Sequence, residues 1–186
     1  MLDLSLHILD IAENSIEAGA LRVHIEVEED VAGDRLVIEI GDDGHGMDAE
    51  MVRRAADPFV TTRRERSVGF GLPLLSEAAR RSGGELSIDS RPGGGTRIRA
   101  VFGHSHIDRQ PLGDMAKTLI TLVAGHPDIE FFYRHRRGRK THTFNSPEVR
   151  KRLRGRSMTS SEGIVLLREL LQERLPAGSK SRKISA

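Results

Sequence analysis

The chain has 186 residues, 37% of them hydrophobic and 30% charged, which suits a folded protein with one core, or one core and a small appendage. It has no cysteine, so disulfides, thiolate metal sites and cysteine nucleophiles are excluded. Its longest apolar runs, such as "IVLL", fall far below the roughly 20 residues of a membrane span. The opening "MLDLSLHILD" carries acids and no basic leader, which excludes a signal peptide and points to a cytoplasmic protein with no membrane partner. The net charge of +2 hides an asymmetry: residues 1–102 hold 12 basic against 19 acidic side chains, and the remainder 17 against 8. An acidic half and a basic half suggest two units, docked on each other or facing different partners.

In chain order, "DLSLHILDIAENSIEA" places Leu4, Ile8, Ile11 and Ile16 near helical spacing, with Gly19 where a helix-ending glycine belongs. "LRVHIEVEE" and "RLVIEI" alternate as half-buried strands and form a hairpin around "VAGD". "DAEMVRRAA" reads as a polar helix, "DPFVTTRRERS" has no period, and "GFGLPLLSEAARRSGG" reads as a helix. Pro73 is tolerated only in a first turn, so that helix starts near Gly71–Leu72. "ELSIDSRPGGGTRIRAVF" is strand, glycine turn, strand. Residues 1–102 are therefore expected to form an α+β two-layer sandwich, with helices on one face of a mostly antiparallel sheet. Residues 103–176 are expected to form a smaller basic α+β unit: a helix over "PLGDMAKTLITLVAG", a hairpin of "DIEFFYRHR" and "KTHTF", and a final helix over "SEGIVLLRELLQERL". Residues 177–186 read as a disordered basic tail.

Four segments carry candidate chemistry. In "GDDGHGM", Asp42, Gly44 and Gly46 have D-x-G-x-G spacing. That is either a glycine turn with a solvated acid, or backbone stripped of Cβ atoms so that a flat ring can lie on it while the carboxylate accepts from an exocyclic amine. On the first helix Asp10 and Asn14 are four apart and share a face. They form part of a solvated acidic face, or a Mg²⁺-binding amide with a carboxylate that orients water or takes a proton. "GFGLPLL" offers free N–H groups at the positive end of a helix, where a phosphate fits. "GGGTRIRAVF" puts the Thr96 hydroxyl at the start of a strand.

In this order and spacing the four segments resemble the GHKL ATP-binding family of gyrase B subunits, MutL ATPases, histidine kinases and the anti-sigma serine kinase, over about residues 3–102. "ENSIEAGA" is similar to the N-box, "DDGHGM" to the first glycine box and "VGFGLPLL" to the second. "DPFVTTR" resembles the segment before the histidine-kinase lid, and "TTRRERSVGFG" the anti-sigma kinase lid. The resemblance implies a Bergerat-type ATP-binding fold with ATP and Mg²⁺ as ligands. It implies that Asn14 holds Mg²⁺ and that Asp42 takes the adenine amino group. Gly44, Gly46 and Met47 would wall the base, with Thr96 beside Asp42. Gly69, Gly71 and Leu72 would cradle the phosphates. Thr61, Thr62 and Arg63 would border the lid, with Arg63, Arg64 or Arg66 offsetting γ-phosphate charge. The water-activating acid falls at Asp10, where the family has Glu. The side chain is one methylene shorter, which bears on hydrolysis more than on binding. His45 reads as a solvent-facing spacer.

The resemblance ends near Phe102. No phospho-acceptor hairpin precedes the module, so a self-phosphorylating sensor kinase is not expected. "HSHID" places His104, His106 and Asp108 on one face of a continuing strand, as plain strand polarity or, less favoured, a metal trio. "YRHRRGRK" and "RKRLRGR" suit a protein partner ahead of nucleic acid, since the whole chain has only seven aromatic residues to stack on bases. The expected function is a slow Mg²⁺-dependent ATPase switch or a protein kinase of anti-sigma type that regulates a partner protein. The alternatives are a non-hydrolysing ATP-sensing adaptor linked to a redox enzyme complex, and a nucleic-acid-binding protein using its basic half.

Overall fold

The structure is a computed structural model that describes residues 3–56 and 71–175. Chain order is α1 (Leu4–Glu17), β1 (Arg22–Asp30), β2 (Arg35–Asp42), α2 (Ala49–Ala56), α3 (Gly71–Arg81), β3 (Glu85–Ser90), β4 (Thr96–Gly103), α4 (Met115–Gly125), β5 (Glu130–Arg137), β6 (Lys140–Asn145), α5 (Ser146–Arg152) and α6 (Ser161–Arg174). The six strands form one sheet in the order β3-β4-β2-β1-β5-β6, antiparallel except for the parallel pair β1–β5. Residues 103–176, set apart in the sequence as a second unit, contribute β5 and β6 to this same sheet.

Strand alternation builds the core. Ile88, Ile98, Ile40, Ile25, Tyr133 and Phe144 stand opposite one another across all six strands. They face the helix layer, where Ile8, Ile11, Leu75, Leu119 and Leu167 are fully buried. The other face is polar and largely self-paired. Glu26 binds Arg134, Glu28 binds Arg136, Arg22 Nε lies 3.3 Å from Glu130, and Arg97 Nε lies 3.4 Å from Glu39. Exposed pairs of this kind are screened by solvent and add little to stability. A groove of about 670 Å³ crosses this face at Gly41, and its Arg22, Glu26, Glu39 and Arg97 walls belong to those pairs.

α1 is fastened at both ends. Asp3 caps its start by accepting from the Leu6 N–H at 3.2 Å, and Gly19 ends it at φ +75°, in the left-handed region that glycine enters freely. The N–H groups of Leu4 and Ser5 donate to the carbonyls of Pro111 (2.9 Å) and Leu112 (2.8 Å), and buried His7 meets Gln110 through Nε2 at 3.0 Å. Burial is the largest influence on His7 and holds its pKa below the ordinary imidazole value.

The expected strand through "HSHID" is not formed. β4 stops at Gly103, whose N–H donates to the Ser82 carbonyl, and the chain turns there. His104 folds back so that its Nε2 lies 3.1 Å from Glu29, while Ser105 donates to Asp34 through its N–H (2.8 Å) and hydroxyl (3.1 Å). His104, His106 and Asp108 therefore share no strand face, and the described residues contain no trio of His, Asp or Glu placed to hold a metal. α5 was not anticipated, although "NSPE" carries its signal: Asn145 accepts from the Glu148 N–H at 2.9 Å and Pro147 sits in the first turn. No helix among the described residues is long and apolar enough to cross a membrane.

Glu29 is the charged hub of the inner face. It meets His135 Nε2 at 2.8 Å, His104 at 3.1 Å and Arg137 at 3.6 Å. The His135 hydrogen bond, with lesser help from His104 and the Arg137 charge, outweighs burial and holds the Glu29 pKa at about 2. A depressed carboxylate pKa adds stability that is complete above the unfolded value of 4.5 and fades as pH falls to about 2. The shift corresponds to about 3 kcal/mol. Glu29→Gln should therefore lose stability on that scale at neutral pH, with the gap to the parent chain closing on acidification. Urea unfolding at pH 7 and pH 3 measures it, and a gap that stays constant with pH would refute the assignment.

Candidate nucleotide site

β2 sends Leu36, Ile38 and Ile40 toward the helices, and its next inward position is Asp42. A carboxylate in a slot that the alternation reserves for a hydrophobe is costly unless its oxygens are hydrogen-bonded. They are. Oδ1 accepts from the N–H groups of Gly44 (2.9 Å) and Thr96 (3.2 Å), and Oδ2 accepts from the Ser15 hydroxyl (2.8 Å). Thr96 faces Asp42 across the β2–β4 ladder. Its hydroxyl is 2.9 Å from Ser90 Oγ, which also accepts from the Met47 N–H at 2.8 Å.

The loop after Asp42 needs its glycines to stay this close. Gly46 has φ +67°, and a Cβ there would overlap the Arg91 carbonyl. A Cβ on Gly44 would come 2.8 Å from the Ala18 carbonyl. The backbone is thereby clamped between α1 and the β3–β4 turn: the His45 N–H donates to Ala18 (2.9 Å), and the Gly93 N–H donates to His45 (2.7 Å).

Above this floor lies a cavity of about 420 Å³ whose walls include Ile11, Asn14, Ser15, Asp42, Gly46, Met47, Leu72, Thr96 and Ile98. Largely apolar walls with an anchored inward carboxylate, and exposed Glu17 as the other acid among the lining, suit a flat heteroaromatic ring that presents an amino donor. Asp10 lies a turn before the cavity-lining Asn14 on α1, and a Cβ on Gly71 would overlap the Asp10 carboxylate, so the acid sits against the first residue of α3, next in sequence to the cavity-lining Leu72. The first-turn N–H groups of a helix have no intrahelical partner, and Pro73 contributes none, so Gly71 and Leu72 are the donors that the described first turn of α3 offers.

Of the residues singled out in the sequence, Asn14, Asp42, Gly46, Met47, Leu72 and Thr96 line one cavity. Gly44 is buried, and Asp10 and Gly71 meet each other, but none of the three is among the residues that line it. Thr61, Thr62, Arg63, Arg64, Arg66 and Gly69 lie outside the described residues. His45 is exposed, and it also lines the cavity mouth. Ser15, Ser90, Met51 and Ala55 went unnoticed in the sequence. Ser15 had a signal, a polar residue four after Ile11 on the buried stripe of α1. Ser90 had none, because only the folded β3–β4 turn brings it to Met47 and Thr96.

Sheet, helix layer and pocket together define a two-layer sandwich of the nucleotide-binding class. The family model described as histidine kinase-, DNA gyrase B-, and HSP90-like ATPase matches residues 2–105, and the chain belongs to that family. Over 94 residues it is 30% identical to sporulation kinase C of Bacillus subtilis (strain 168), covering 50% of this chain and 22% of that one. Over 109 residues it is 33% identical to the tetrathionate sensor histidine kinase TtrS of Salmonella typhimurium (strain LT2), covering 56% of this chain and 18% of the kinase. The chain thus spans less than a quarter of these relatives. A crystal structure of the N-terminal domain of a DNA repair protein shares the fold, with a TM-score of 0.52 at 20% identity, covering 77% of this chain and 52% of that one.

Proposed function

We propose that the chain binds Mg²⁺-ATP in this pocket and works as a nucleotide-dependent regulator of a protein partner, through slow ATP hydrolysis or phosphoryl transfer. The observation that carries the reading is the inward carboxylate of Asp42, with both oxygens anchored by protein donors at the floor of a cavity sized for a base. Asp42 would accept from the adenine amino group, while Met47 and Ile98 bound the ring. Gly71 and Leu72 would donate main-chain N–H groups to phosphate oxygens at the start of α3. Asn14 supplies a neutral amide oxygen, a ligand type suited to Mg²⁺, which when bound offsets phosphate charge. Asp10, one turn before Asn14 and against Gly71, would accept the proton of an attacking water or of a partner hydroxyl.

Asp10 favours slow turnover, since its carboxylate reaches one methylene less far than the family's Glu. That same feature supports the second reading, an ATP-sensing adaptor that binds without turnover. Exposed Lys151 and Arg154, beside Arg152 and Arg156 that bridge Glu148 and Glu162, are the basic groups that either role would offer to an acidic protein partner.

Calorimetry with ATP and magnesium should show saturable binding by the parent chain. Asp10→Asn should keep that binding and lose about 100-fold or more of any phosphate release, the scale of a positioned general base. Labelled ATP that ends on an added protein identifies a kinase, and free phosphate alone a switch. Absence of saturable binding would sink the proposal, and undiminished release by Asp10→Asn would remove Asp10 from the chemistry.

A further inference from the structure

We infer that Ser15 is the positioning residue that makes this pocket select a 6-aminopurine, by fixing the rotation of the Asp42 carboxylate; this rests on the ATP reading above. Ser15 lies on the buried side of α1, only 4% exposed, and its hydroxyl has two acceptors in reach: Asp42 Oδ2 at 2.8 Å and the Ile11 carbonyl at 3.2 Å. A hydroxyl has one proton to give. The shorter contact, made to an ionised group, is the stronger one, so the proton goes to Asp42.

That donation decides what remains on the carboxylate. Oδ1 is occupied by the N–H groups of Gly44 and Thr96, which come from the two backbones flanking the acid. Oδ2 accepts from the Ser15 hydroxyl alone, and Asp42 lines the cavity, so one acceptor position on Oδ2 is left for a ligand there. A carboxylate held only through Oδ1 could swing about its Cβ–Cγ bond. Held at both oxygens, it presents a fixed acceptor to an amino group and an electrostatic barrier to a carbonyl at the same ring position. The discrimination is strong because a mismatched base leaves buried polar groups unpaired. Ser15 also adjoins Asn14 in sequence, so the residue that orients the base reader and the residue offered to Mg²⁺ lie on the same turn of α1.

The helix itself gives no reason for a serine here. Buried serine is a weaker helix former than alanine, and the hydroxyl costs free energy inside unless it is hydrogen-bonded. Ser15→Ala gains helix propensity but leaves Asp42 Oδ2 without its protein donor, so it is expected to keep the fold with a modest loss of stability.

The test is equilibrium binding of ATP and of purine riboside triphosphate, which lacks the 6-amino group, to the parent chain, Ser15→Ala, Asp42→Asn and the double variant. Ser15→Ala should weaken ATP about 10-fold, the worth of one hydrogen bond to a charged group, and leave purine riboside triphosphate within about 2-fold. In the Asp42→Asn background the same substitution should have no further effect on ATP. Ser15→Thr, which keeps the hydroxyl, should restore part of the selectivity. Equal weakening of both nucleotides by Ser15→Ala, or an undiminished effect in the Asp42→Asn background, would show a general packing role and overturn the inference. A parent chain that binds neither nucleotide would overturn the ATP reading itself, and is told apart by needing no variant.

Discussion

Asp42→Asn is expected to weaken ATP binding by roughly 30- to 1000-fold, about 2–4 kcal/mol, while leaving the fold intact. The geometry sets both halves of that result. An asparagine has one acceptor oxygen, and the N–H groups of Gly44 and Thr96, at 2.9 and 3.2 Å, claim it. Its amide nitrogen must then take the Oδ2 side, where it meets the Ser15 oxygen and points N–H bonds at the ligand. Ser15 can turn and accept, so the fold loses little. An adenine amino group cannot, so donor faces donor. Inosine triphosphate, which offers an oxygen at the same ring position, should lose far less than ATP and so gain relative preference. Parallel titrations of the two nucleotides give the answer. Equal losses for both would show that Asp42 does not read the base.

Phe131→Ala should cost about 3–5 kcal/mol, the scale of removing a buried phenyl group, and should loosen both halves of the chain together. Phe131 is fully buried and pairs with Val23 in the parallel β1–β5 ladder; its N–H donates to Ser146 Oγ at 3.0 Å. Val23 pairs in turn with Asp42 on β2, and Asp42 with Thr96 on β4. The cavity left by the ring therefore opens two strands away from the proposed base reader, within one continuous layer. Urea unfolding with hydrogen exchange should show β2 and β5 losing protection in one transition, at a lowered midpoint. Protection in β2 that survives the loss of β5 would mean that the strands are energetically independent despite their ladder.

The sandwich over residues 3–102 was readable because its signals are local. Period-two alternation in "RVHIEVEED" and "RLVIEIGD" and the helical stripe of α1 need no distant partner to be seen. The constellation of Asp42, Asn14, Leu72 and Thr96 was readable through the order of its motifs, since each alone is ambiguous. The parallel joining of β5 to β1 was not readable. Nothing in "EFFYRHRR" says that, besides its hairpin partner β6, it has a second partner about a hundred residues earlier, and the charge contrast between the halves argued for separation. In the fold that contrast lies within the sheet, where Glu26 and Glu28 on β1 stand opposite Arg134 and Arg136 on β5. "HSHID" departs from the strand its pattern suggests for a related reason. Its polar alternation mimics a strand, but Gly103 is tied to the Ser82 carbonyl and His104 turns back to Glu29.

The two amide hydrogens at the start of α1 end on the carbonyls of Pro111 and Leu112, residues that lie beyond the part of the chain matched by the family model. A fragment trimmed to the family boundary would shed the acceptors that seat the rod bearing Asp10 and Asn14. Its failure to grip a ligand would then reflect a lost mooring and not a lost binding residue.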